Sequence, residues 1–297
     1  MTRRMAVMIA ALALAAPALA GRRVDERRPA QAEGVVEIQS PAGTIKVIGW
    51  DRAEVAVSGT LGDEADRLAF TTRGHRTHVE VESAGDPTGV RSDLEVRVPA
   101  GSGVAVETMG ANIEVSGVKG SLTAENVNAG ITVTGASGPV EVETVNGAVA
   151  VTGPSTRVRA ESVNGPVEVR GGSGSVEAST VNGRLVVSGG TFERAVLETV
   201  NGAIRFEGAL APAAVLDVET VGGDVELVLA EGVSAQFSVY TFNGEVVNEL
   251  GPAVVRHEGR RRKHDHDDEK ELSFTIGSGG AKVRIETLNG TVYLRKK

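Results

Sequence analysis

The sequence predicts an all-β fold: a parallel β-solenoid (β-helix-like) of about 18-residue coils with two short strands per coil. Three observations predict it. The first is a recurring Asn-Gly dipeptide, in full form as Thr144-Val145-Asn146-Gly147, Ser162-Val163-Asn164-Gly165, Thr180-Val181-Asn182-Gly183 and Thr199-Val200-Asn201-Gly202. Weaker copies stand at Gly110, Asn128, Gly222, Asn243 and Asn289, giving steps of 18, 18, 18, 18, 19, 21, 21 and 46 residues. A period in this range marks a stack of supersecondary units. The second is a smaller period inside the first. Apolar residues come in pairs two apart, and the pairs recur every nine residues, as in Val140/Val142, Val149/Val151, Val158/Ala160 and Val167/Val169. A spacing of two marks one face of a strand, so a nine-residue step means two strands and two corners per coil. A hexapeptide helix would repeat every six. The third is composition: 38 glycines and 3% aromatic residues, the profile of many turns between β-branched strands.

From the N-terminus, Thr2-Arg3-Arg4 precedes an uncharged run from Met5 to Ala20 that ends Ala18-Leu19-Ala20. A basic start, an apolar stretch and small residues at the cut define a secretory signal peptide over 1–20. The competing reading, a membrane anchor, needs a run of roughly 20 apolar residues. Residues 21–33 are expected to be a flexible N-terminal segment. The solenoid is expected over 34–297 as a single domain, with Val36/Ile38, Ile45/Val47 and Val55/Val57 opening it and Val283/Ile285 and Val292/Leu294 closing it. The pattern is less regular at 58–93, and separate folding of the first hundred residues is the alternative. A charged loop insertion is expected at 252–271.

The corners differ in chemistry. At one, Asn-Gly is expected to supply positive φ; the other is looser, as in Arg170-Gly171-Gly172-Ser173. Asn-Gly is also the strongest hairpin signal, but one polar type at one repeated position suits coils stacked in register. Stacking would place the asparagines about 4.8 Å apart in a ladder. If that ladder satisfies buried corner groups, Asn164→Ala should cost roughly 1–3 kcal/mol. Thr144, Ser162, Thr180, Thr199, Thr220, Thr241 and Thr287 form a hydroxyl column by the same logic.

The repeat resembles that of the bacterial "putative adhesin" family of exported β-strand-repeat proteins, a family of unassigned function. Similarity extends from Val36-Glu37-Ile38 and Gly49-Trp50-Asp51 to Ile276-Gly277-Ser278 and Glu286-Thr287-Leu288-Asn289-Gly290. The resemblance implies a β-solenoid and brings no catalytic residues with it.

Absence of cysteine removes disulfides and thiol-linked lipid. A net charge of −8 argues against a general binder of nucleic acid. Nine aromatic residues cannot build the girdles of an outer-membrane barrel. Calcium-binding β-rolls need an aspartate after the glycine pair in each coil; Gly222-Gly223-Asp224 fits once, whereas Ala148, Pro166, Arg184, Ala203 and Thr291 stand elsewhere. The Glu107, Glu125, Glu143, Glu161 column is the nearest thing to a carboxylate set for polysaccharide cleavage, and Arg159 between Glu141 and Glu177 favours a solvated strand edge instead. Within the insertion, Arg260-Arg261-Arg262-Lys263 and His264-Asp265-His266-Asp267-Asp268-Glu269 could bind a divalent ion, but a polar loop is the plainer reading. His75 and His78 suit a turn and a strand edge, and Trp50 a structural corner.

No catalytic, cofactor-binding or metal residue is assigned, and no cofactor is expected. The expected function is a non-enzymatic exported cell-envelope protein, an adhesin-like binding or scaffolding solenoid. Its expected partner is an envelope glycan or another envelope protein, and its location periplasmic or extracellular, with no transmembrane segment after residue 20. The alternative is a carbohydrate-active β-helix enzyme acting on an extracellular or envelope polysaccharide.

Overall fold

The computed structural model describes residues 21–62, 65, 67–83, 90–251, 254–255 and 270–297. The signal-peptide reading of 1–20 lies outside them. Among the described residues every regular element is a strand, and all strands join one 23-stranded sheet.

The central coils follow directly from the paired apolar pattern. Val140–Thr144 pairs in parallel with Leu122–Asn126 on one side and Arg157–Ser162 on the other. Val149–Thr152 pairs likewise with Ile131–Thr134 and Val167–Arg170. Register puts Val140 beside Val158 and Val142 beside Ala160, so each apolar pair stacks on the pair one coil away. A one-residue slip would turn the whole set outward, which is why the alternation fixes register so strongly. These residues are 2% exposed or less and belong to one continuous core. Parallel pairing excludes a hairpin at each Asn-Gly.

The corners work differently from expectation. Gly147, Gly165, Gly183 and Gly202 do not adopt positive φ. They are glycine because adjacent backbones close up there: a Cβ on Gly165 would overlap the Gly147 carbonyl oxygen, and one on Gly183 that of Gly165. Positive φ belongs to the second corner, at Gly135 (67°), Gly171 (84°) and Gly189 (69°), where only glycine is unstrained. In the longer coils, Leu185–Asn201 and Ile204–Gly222 run through this second corner without a break. Phe192 and Phe206 fill the added volume, their ring centroids 5.9 Å apart.

Both ends interleave the chain. Val35–Trp50 lies inside, between Gly103–Ser116 and an outer coil built from Arg76–Glu82 and Arg91–Pro99. Antiparallel strands cover that outer coil: Glu54–Leu61 on Arg91–Pro99, and Arg67–Arg73 on Arg76–Glu82. The segment 21–33, expected to be flexible, is corrected here. Arg22–Pro29 is a strand paired antiparallel with Glu54–Leu61. Its arginines read as solvated chain, yet charge is what protects an edge strand from further pairing. Val24 packs on the core and Arg28 lies 5.1 Å from the Phe70 ring.

At the other end Ala281–Asn289 sits between Ile204–Gly222 and Ala235–Thr241, and Val292–Lys296 between Val225–Leu229 and Val246–Asn248. Lys270–Ile276 runs antiparallel to Ala235–Thr241, with Phe274 stacked on Phe237 at 4.6 Å. Val254–Val255 pairs outside it. Residues 256–269 of the charged insertion lie outside the described residues.

Candidate functional site

The sequence Glu-Thr-Val-Asn-Gly builds one corner of each coil, and its side chains divide by strand parity. In Val140–Thr144 the residues alternate inward and outward, so Thr144 faces the core and Glu143 faces water. Val145 follows with the opposite parity to Val142 and is therefore outside.

The inward hydroxyls satisfy the corner backbone. Thr144 Oγ1 donates to the Ala129 carbonyl at 3.0 Å, Ser162 Oγ to Gly147 at 2.9 Å, and Thr180 Oγ1 to Gly165 at 2.9 Å. The asparagines do form a ladder: Asn146, Asn164 and Asn182 each donate Nδ2 to the Oδ1 of the asparagine one coil earlier at 2.9 Å. That ladder is exposed, however, and the buried work expected of it falls to the hydroxyl column.

Outside runs an unbroken apolar column. Met109, Val127, Val145, Val163, Val181, Val200, Val221 and Leu288 are each 38–50% exposed, an unusual state for β-branched and large aliphatic residues in a row. Alongside runs a carboxylate column in register, Glu107, Glu125, Glu143, Glu161, Glu198, Glu219 and Glu286, interrupted by Ser179 between Glu161 and Glu198. The two columns line shared shallow grooves, one of about 510 Å³ along Glu107 to Val145 and one of about 370 Å³ along Glu143 to Val221. The sequence contained the signal for the apolar column, since Val145 stands three residues from Val142 and cannot share its face.

Electrostatics along the column are uneven. Arg159 binds Glu161 at 2.5 Å and Glu177 at 2.8 Å, with Glu141 at 3.6 Å. Burial pushes the Glu161 carboxyl above the ordinary carboxylate range; Arg159 opposes this, and Glu143, Glu177 and Glu141 add to it. Glu286 is held by Arg284 at 2.6 Å, and Glu107 accepts from Gln39 Nε2 at 2.8 Å. Glu125, Glu143, Glu198 and Glu219 have no ion-pair partner among the described residues. They lie along the axis as two adjacent pairs, Glu125/Glu143 and Glu198/Glu219, rather than gathered around one point, so the carboxylates sort as a rail.

The other candidates have structural roles. Asp224 Oδ1 accepts from the Thr291 backbone N–H at 2.8 Å, closing the turn of the adjacent coil. His78 Nε2 meets Glu80 at 3.0 Å on a strand edge, and the His75 carbonyl accepts from the Val35 N–H at 2.7 Å beside the Gly74 turn. Trp50 Nε1 donates to the Glu54 carbonyl at 2.9 Å, with Arg52 5.1 Å from its ring centroid. Among the described residues no group of three or more His, Asp or Glu side chains is placed to hold a metal ion.

The strand pairing thus defines the class, an all-β parallel solenoid with a repeated corner surface. The family model described as Toastrack DUF4097 matches residues 36–295, and the chain belongs to that family. No curated protein matches. Among solved structures, the chain is similar to a "putative adhesin" from Bacteroides fragilis at 9% identity, covering 93% of this chain and 98% of that one, with a TM-score of 0.42. It is similar to a "putative adhesin" from Parabacteroides distasonis at 10% identity, covering 92% and 98%, with a TM-score of 0.39. A "putative cell adhesion protein" from Clostridium sporogenes shares 10% identity over 93% and 100% of the two chains, with a TM-score of 0.24. At these scores the likeness carries no argument, and the fold rests on the pairing and the family match.

Proposed function

We propose that this protein is a non-enzymatic, exported component of the cell envelope. In this reading it works as an adhesin-like binding or scaffolding solenoid for an envelope glycan or another envelope protein. One observation carries the proposal: the exposed apolar column beside the glutamate rail, repeated coil after coil on an otherwise charged surface. Isolated exposed valines need no explanation, but a contiguous row marks an interaction site. A stacked array makes such an extended surface by geometry alone. Export is supported by the basic, apolar and small-residue pattern of the first twenty residues.

The test uses protein from Gly21 onward, incubated with envelope polysaccharide and with envelope protein fractions, following retention and the release of reducing ends. Retention without release is the expected result. Failure to retain either class would overturn the binding reading. Release by wild type that Glu143→Gln abolishes would overturn the non-enzymatic one and establish polysaccharide cleavage. Expression of the full sequence should give a product beginning at Gly21 outside the cytoplasm; an unprocessed cytoplasmic product would remove the export step.

A further inference from the structure

We infer that the apolar column and its glutamate rail form a dock for a cationic amphipathic helix lying along the solenoid axis. The inference rests on the reading of the protein as a binding solenoid and names the class of partner. Four features of the groove select this occupant.

Width comes first. The apolar column is one residue wide, because parity turns Thr144 inward on one side and the exposed asparagine ladder bounds the other. A stable dimer needs roughly 800 Å² per partner, so a row this narrow suits a single slender element. Length comes next. From Met109 to Leu288 the column makes seven coil steps of about 4.8 Å, or about 34 Å, the span of a helix of about 22 residues at 1.5 Å each.

Charge then fixes the partner's sign. Glu125, Glu143, Glu198 and Glu219 flank the apolar row with no cation of their own among the described residues. A second copy of this chain, at net charge −8, would bring more carboxylates to the same place. A helix with lysines or arginines along one flank of its apolar face would instead supply the missing cations. Period is the last feature. An amphipathic helix repeats its face every 5.4 Å, close to the 4.8 Å coil step, whereas an extended strand repeats at about 6.6–6.8 Å. The mismatch with a helix, about 0.6 Å per turn, accumulates to about 4 Å over six turns, or about 2 Å either side of the centre, which lies within the reach of lysine and glutamate side chains. Laying an apolar helix face into a groove is a common recognition mode, and here the groove is straight and the charge lies on one side of it.

The experiment uses purified protein from Gly21 onward and three synthetic 22-residue leucine–lysine peptides. One is patterned at the helical period with lysines on one flank, one has the same composition patterned at the strand period, and one replaces lysine by glutamate in the helical pattern. Fluorescence anisotropy at low and high salt measures binding. The helical lysine peptide should bind, weaken with salt, and outbind both others by about tenfold or more. The surface variant Val163→Asn/Val181→Asn, with an unchanged melt, should lose about tenfold in affinity. Glu143→Gln/Glu198→Gln/Glu219→Gln should bind more weakly and with a flatter salt dependence.

Equal or tighter binding of the strand-period peptide would overturn the helix. Unchanged affinity in the valine variant would overturn the dock, as would a wild-type dimer that the same variant turns into monomer, since the column would then be a self-interface. Retention of envelope polysaccharide with no peptide binding would sink this inference alone and leave the proposed function standing.

Discussion

Replacing Thr180 by valine removes one hydroxyl from the buried column and changes little else. Thr180 is 4% exposed, and its Oγ1 donates to the Gly165 carbonyl at 2.9 Å. Valine keeps the shape and loses the donor, leaving that corner carbonyl short of its partner. An unsatisfied buried acceptor costs about 1–3 kcal/mol. In a large domain each kcal/mol moves Tm by about 2–4 °C, so Thr180→Val should melt roughly 2–12 °C below wild type. The same column holds its own control. Thr241 and Thr287 Oγ1 are buried with no hydrogen-bond partner among the described residues, and Thr287→Val should be neutral or stabilising because it removes a desolvated hydroxyl. Asn164→Ala breaks two exposed ladder bonds, one donated to Asn146 and one accepted from Asn182, that water can replace, so its cost falls to about 0.5–1 kcal/mol, below the first expectation. Circular dichroism melts rank the three, and hydrogen exchange around Val163–Gly165 locates the loss if the array unfolds in parts. A Thr287→Val protein as unstable as Thr180→Val, or Asn164→Ala costing more than Thr180→Val, would refute the reasoning.

Two further outcomes follow from the corner. Gly165→Ala should destabilise by about 1–3 kcal/mol through overlap with the Gly147 carbonyl, although Gly165 has no positive φ; a wild-type melt would show that neighbouring coils can separate at low cost. Glu161 predicts a pH effect. Its carboxyl is raised by burial, so the folded state holds the proton more tightly than the unfolded state. The stability this contributes is full below the unfolded value and is lost as pH rises through the folded one. Glu161→Gln should therefore flatten the decline just above the ordinary carboxylate range, and identical pH–stability curves for the two proteins would contradict that assignment.

The coil was legible because two strict periods coincide in it. Val140/Val142 and Val149/Val151 state the strand faces, and Asn146 to Asn201 state the stacking. The corner was only half legible. Gly165 could be read as an obligate glycine, but its reason was misjudged: φ is local to the chain, whereas close approach to Gly147 depends on a neighbour one coil away. Burial went astray for a similar cause, since Thr144 and Asn146 are both polar and two apart, and what separates the buried one from the exposed one is that the strand ends at Thr144 while Asn146 lies in the bend beyond it. Arg22–Pro29 was illegible because charge on an edge strand looks like charge on a solvated tail, and its partner strand begins only at Glu54. The apolar column was the reverse case, legible from the parity of Val145 against Val142 and absorbed instead into the repeat.

Interleaving at the ends could not be read from any local pattern, and it makes the strongest remaining prediction. A terminal coil normally frays because it has one neighbour. Here the last coil has two: Ala281–Asn289 pairs with Ile204–Gly222 and with Ala235–Thr241. Earlier chain thus depends on later chain for its attachment. In an array whose stability is a sum over neighbouring units, removing an inner unit removes two interfaces and strands everything beyond it. Ending the chain at Gly280 should therefore abolish exchange protection in Val246–Asn248 and weaken it in Ala235–Thr241, which keeps its pairing with Lys270–Ile276, though neither is touched by the cut. Protection from Leu122 through Thr180 should persist, because those coils keep both neighbours. If Val246–Asn248 stays protected in the shortened protein together with Ala235–Thr241, pairing with Lys270–Ile276 cannot account for it, and the outer coil must repack directly on Ile204–Gly222 and Val225–Leu229. The interleaved order would then be one of two nearly equal arrangements rather than the device that locks the C-terminal end.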